Sequence, residues 1–176
     1  MAVQNGTRIH STIREGVIAG AIGATGVALW FLLVDLVAAE LFFTPVRLGQ
    51  AFGTAFSVPS MANNTTVAFV GYTILHYLAF AIIGVLAAAI VHASRKQPAL
   101  LAGVFLAFII SEALIYSFIA ILHETNLLEH LAWWLLAIGN LVGAALIGWK
   151  LWRDHPGLRG GFDSALGERA GGTTGP

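Results

Sequence analysis

Four apolar stretches, each about the length of a bilayer crossing, take up most of this chain: Gly16–Ala39, Val67–Val91, Ala99–Leu122 and Leu131–Trp149. A helix needs about 20 mostly apolar residues to cross roughly 30 Å of hydrocarbon. Four such helices in water would need a polar surface that this chain lacks. Only 10% of its residues are charged and 57% are hydrophobic, against about 25% charged in a soluble domain. The expectation is an all-α integral membrane protein, an antiparallel four-transmembrane-helix bundle whose partner is the lipid bilayer. Met1–Glu15 reads as a polar cytoplasmic segment, residues 16–153 as the transmembrane domain, and residues 154–176 as a flexible tail with seven glycines.

The first apolar run exceeds the 7–15 residues of a signal-peptide core, so it reads as a retained helix. The alternative is a cleaved signal ending near Val37-Ala38-Ala39. The absence of cysteine excludes disulfides, thiolate-bound metal, thiol catalysis and covalent c-type haem. Nine basic and nine acidic residues balance to zero, which argues against nucleic acid as a partner. The basic residues set a topology. Arg8 and Arg14 precede the first stretch, Arg95 and Lys96 separate the second from the third, and Lys150 and Arg153 follow the fourth. The positive-inside rule places all of these, and both termini, in the cytoplasm, with a bacterial inner membrane as the expected location.

Gly16, Gly20, Ala24 and Ala28 recur every four residues on the first stretch, and Gly139 and Gly143 on the fourth. Close backbone approach across small residues is how helices associate in lipid, and packing within the chain is preferred here to a dimer face. The connection Glu40–Thr66 contains Phe42, Phe43, Phe52 and Phe56 between breaks at Pro45 and Pro59. It predicts a short interfacial helix near Pro45–Phe56 on the outer side. Trp133 and Trp134 at one end of the fourth stretch, and Trp149 and Trp152 at the other, read as an aromatic belt. Asn63-Asn64-Thr65-Thr66 matches the glycosylation acceptor pattern, relevant only to a eukaryotic secretory route.

Ionisable residues inside spans are costly and mark function by default. At 1.5 Å per residue, His76 lies roughly 14 Å below the outer start of the second stretch. Glu112 falls at a similar level on the third, and Asp35 near the outer rim of the first. His123, Glu124, Glu129 and His130 follow at the same rim. Glu112 and His123 share a helical face with Tyr116 between them, and Asp35 continues the phase of the small-residue stripe.

Imidazoles and carboxylates gathered in a low-dielectric region form a ligand set for Fe, Cu or Zn. The candidate metal site is His76 with Glu112, Asp35, His123 and His130, and a b-type haem is the other cofactor it suggests. Two other readings stand beside it. His76 and Glu112 can instead be a hydrogen-bonded pair that only locks the bundle in a structural accessory subunit. Alternatively, the polar groups serve proton or small-solute passage, although Thr25 and Ser111 alone offer polarity deep in the inner half. A chain this small also reads as part of a homo-oligomer or larger membrane complex. The run Arg14-Glu15-Gly16-Val17-Ile18-Ala19-Gly20, with Trp30-Phe31 and Asp35, resembles uncharacterised four-helix membrane proteins of bacteria over the first helix only. That resemblance implies no activity.

Overall fold

A computed structural model describes residues 2–94 and 133–154. The Ala99–Leu122 stretch and the tail from residue 155 lie outside the described residues. The described elements are all helices: α1 (Ala2–Val37), α2 (Phe43–Ala55), α3 (Pro59–Asn63), α4 (Thr65–Ser94) and α5 (Trp133–Asp154). Three contain segments long and apolar enough to cross a membrane: Ser11–Val37, Thr65–Ala93 and Trp134–Asp154. Leu29, Leu33 and Leu36 of α1, Ile74, Leu78, Ile82 and Leu86 of α4, and Leu141 of α5 are exposed. Water would penalise so much uncovered apolar surface, whereas hydrocarbon accepts it. Over the described residues the protein is all-α, with helices suited to a membrane. One difference from the sequence expectation concerns the polar Met1–Glu15, which is helical from Ala2 and continuous with the first apolar run.

Small residues decide how the long helices meet. An ideal Cβ built on Gly16 would lie 2.4 Å from Val85 Cα, and one on Gly20 would lie 2.1 Å from the Phe80 carbonyl oxygen. Ala24, one turn further along, accepts a hydrogen bond from His76. Steps of four up α1 thus meet steps of four down α4, and the two helices are antiparallel. On another side of α1, Gly23 faces Ile147, Gly143 faces Val27 and Gly139 faces Phe31 and Trp30. The Trp30 Nε1–H donates to the Leu135 carbonyl at 2.9 Å. Helix α5 is therefore also antiparallel to α1, which stands between α4 and α5. Gly16, Gly20 and Ala24 of the first stripe and both glycines of the second meet partners within the chain.

The connection between α1 and α4 is built from turns that the sequence does not announce. Helix α1 ends in a Schellman motif, with Glu40 N–H donating to Asp35 O at 2.9 Å and Ala39 N–H to Leu36 O at 3.1 Å. The left-handed residue is Ala39, φ 59°, where glycine is usual. Helix α2 ends the same way, with Val58 N–H on Gly53 O at 2.7 Å, Ser57 N–H on Thr54 O at 3.2 Å, and Ser57 left-handed at φ 54°. Pro59 opens α3. Asn64 caps α4, its Oδ1 accepting from Val67 N–H at 3.0 Å; capping is the structural role of that glycosylation-like motif.

Helix α2 covers the expected Pro45–Phe56 segment and packs on α4 through Gly49, whose added Cβ would meet the Ala68 carbonyl oxygen at 2.2 Å. Ala51 joins Val27, Phe31 and Leu136 in one buried cluster, and Ala19, Ala88, Ile147 and Leu151 form another. The belt reading also finds support, since Trp134, Trp149 and Trp152 are exposed on α5. Arg153 lies over the Trp149 ring at 5.7 Å, and Lys150 pairs with Asp154.

Candidate ligand-binding cavity

Between α1 and α4, on the side where α2 begins, lies a cavity of about 250 Å³. Val27, Leu29, Phe31, Leu32, Phe42 and Phe69 supply most of its apolar wall, and Asp35 and His76 both line it. Of the five residues expected to form a metal site, these two are described; Glu112, His123 and His130 lie outside the described residues.

Asp35 is buried, 3% exposed, and so is Thr44 at 2%. The carboxylate accepts from Thr44 N–H through Oδ2 at 3.0 Å and from the Thr44 hydroxyl through Oδ1 at 2.6 Å. The residue at the usual capping position of α2 is Phe42, left-handed at φ 63° and without a side-chain acceptor. Asp35 supplies the missing cap from the neighbouring helix, and its negative charge sits at the positive end of α2. Its chemistry is that of a clasp between α1 and α2.

His76 is half-buried, and its Nε2 lies 3.0 Å from the Ala24 carbonyl oxygen. A carbonyl only accepts, so Nε2 carries the proton and, in the neutral ring, Nδ1 keeps its lone pair. The imidazole stacks with Tyr72 at 5.7 Å, meets Tyr77 edge-on at 5.8 Å and tilts against Phe80 at 4.8 Å. Since His76 bonds at the level of Ala24, Asp35 stands 11 residues further along α1, about 16 Å of helix rise. Metal–ligand bonds of about 2 Å do not span that gap. The two side chains share a cavity wall at different depths and are not brought together there. Among the described residues no group of three His, Asp or Glu side chains converges.

Sequence reasoning places Tyr72 beside His76 but missed Tyr77. The Thr25 hydroxyl donates to the Ala21 carbonyl at 2.8 Å, so in its 2.9 Å contact with Tyr77 the phenol must be the donor. The i, i+4 spacing of Tyr72 and His76 was a visible signal that both belong to one face of α4. A cavity of about 150 Å³ is known to hold benzene, and this one measures about 250 Å³. No protein family, curated protein or solved structure matches the chain.

Proposed function

We propose that the protein is a small integral membrane protein that binds one small, largely apolar molecule between α1 and α4. The observation that carries this reading is the cavity itself, apolar along most of its wall, with His76 and Asp35 at separate depths. Butylbenzene, sized to such a space, is expected to raise the thermal midpoint of the full chain in lipid nanodiscs. Ala28→Phe and, from the opposite wall, Thr73→Phe are expected to abolish that rise by filling the cavity. An equal rise in both variants would reduce the effect to partitioning into lipid.

A second reading rests on the His76–Ala24 bond. Histidines that ligate metals anchor their other nitrogen on a carbonyl or carboxylate, as His76 does. Here His76 Nδ1 binds Fe, Cu or Zn, and Glu112, His123 and His130 supply the other ligands, without Asp35. Stoichiometric metal in protein purified without chelator, lost in His76→Ala, would move the assignment to this site.

The same proposal includes the four-span bundle with both termini cytoplasmic. Its support is a matter of direction. Helices α4 and α5 both run antiparallel to α1, so Ser94 and Trp133 lie at opposite ends of the helices. If all three span, the chain between those two residues changes sides, and Ala99–Leu122 is the apolar run available for it. In the otherwise cysteine-free chain, Lys96→Cys is expected to resist an impermeant thiol reagent in intact cells and to react after lysis. Labelling from outside would invert the topology. Assembly into an oligomer or larger complex is also part of this reading. Because Gly16, Gly20, Gly139 and Gly143 meet partners within the chain, partner contacts would use the exposed faces of α1, α4 and α5, and native mass spectrometry in mild detergent would read the stoichiometry.

A further inference from the structure

Counting donors and acceptors around the cavity shows which polar groups are spent and which remain. Thr25 donates to Ala21 O and accepts from Tyr77. The Thr73 hydroxyl donates to the Phe69 carbonyl at 2.7 Å. Each Asp35 oxygen already accepts one hydrogen bond from Thr44. Two groups remain without a hydrogen-bond partner among the described residues: the Tyr72 hydroxyl and His76 Nδ1. They belong to one face of α4, their rings are stacked at 5.7 Å with 27° between planes, and both residues line the cavity. One can donate and the other can accept. In an apolar setting a polar group without a partner is costly, and a single hydroxyl answers both, accepting from Tyr72 and donating to His76.

We infer that the cavity selects an apolar molecule bearing one alcohol or phenol hydroxyl, held between Tyr72 and His76 with its hydrocarbon part against Leu29, Leu32 and Phe69. This inference rests on the proposed cavity-binding function and narrows it to a ligand class. It also gives α4 a specificity-determining pair: the walls admit any small apolar body, while Tyr72 and His76 discriminate by one functional group. Sites built to hydrogen-bond a hydroxyl reject the analogue that lacks it, because their own polar groups are then left unpaired.

The test compares 4-butylphenol with butylbenzene on the full chain in nanodiscs, with concentrations expressed per lipid so that partitioning cancels. The phenol is expected to bind at least about tenfold more tightly, two hydrogen bonds against none. Tyr72→Phe should reduce that preference to within about twofold while leaving butylbenzene binding intact. Thr54→Val, which removes a hydroxyl bonded to the Gln50 carbonyl away from the cavity, should leave the preference unchanged. Equal binding of the two probes to the unmodified chain, or a preference that survives Tyr72→Phe, overturns the hydroxyl assignment alone. Failure of both probes to bind overturns the cavity reading beneath it.

Discussion

Adding one methyl group at Gly84 is expected to force α1 and α4 apart. A Cβ there would stand 2.1 Å from the Gly16 carbonyl oxygen and 2.6 Å from the Gly20 nitrogen. These are backbone atoms of a facing helix and have no rotamer into which to retreat. The helices must separate, and every close contact along the seam loosens with them, including the Ala24–His76 hydrogen bond. Overpacking in well-packed interiors costs typically 1–3 kcal/mol, and Gly84→Ala is placed at about 3 kcal/mol because backbone opposes backbone. Gly148→Ala is the matched control. Nothing lies within 4 Å of its added Cβ, so it should be neutral or slightly stabilising, alanine being the better helix former by about 1 kcal/mol. Unfolding free energies measured in bicelles decide the matter. If the two variants are equally stable, the seam described here does not exist. Gly20→Ala combined with Gly84→Ala should cost less than the sum, since the first substitution already opens the gap that the second needs.

Cutting the Asp35–Thr44 clasp is expected to release α2. Asp35→Ala leaves the Thr44 N–H and hydroxyl buried without their acceptors, at about 1–3 kcal/mol for each orphaned group. Asp35→Asn should be milder. Its carbonyl oxygen can still accept from the Thr44 amide and its NH2 can donate to the Thr44 hydroxyl, so the main loss is the charge at the helix end, worth up to about 2 kcal/mol in partly buried geometry. The order of stability is then unmodified, Asn, Ala. Hydrogen exchange at the Thr44 amide supplies the local readout, with protection falling in the same order. Exchange at Thr44 that is indifferent to both substitutions would show that some other acceptor holds the start of α2.

The long helices were legible because their signal is local. An apolar run of twenty residues means the same thing wherever it occurs, and Gly16, Gly20, Gly139 and Gly143 announce close contact by their spacing alone. The interfacial segment near Pro45–Phe56 was legible for a related reason, since proline and glycine punctuate it. What the sequence hid were agreements between distant residues. Asp35 reads as a ligand candidate because carboxylates in spans are rare. Its actual partner, Thr44, comes within reach only after the chain turns through Ala39 and Phe42, both left-handed and neither a glycine or asparagine that would have flagged the turn. His76 likewise reads as half of an acid–base pair, yet its described bond goes to a main-chain carbonyl, and a carbonyl has no sequence signature. The polar start of α1 was assigned to a separate segment on composition, whereas helix propagation costs little once a long helix is nucleated.

Helix α1 is continuous over 36 residues, about 54 Å at 1.5 Å per residue, while the hydrocarbon layer is roughly 30 Å thick. The segment of α1 long and apolar enough to cross is Ser11–Val37, so a crossing α1 would carry its first turns beyond the hydrocarbon, and at the other end the Asp35 clasp ties it to α2. Spanning helices adjust to bilayer thickness by tilting. Yet α1 also stands between α4 and α5, with Gly16, Gly20 and Gly23 seated on their backbones and side chains, so any tilt of α1 would carry the packed helices with it as one body.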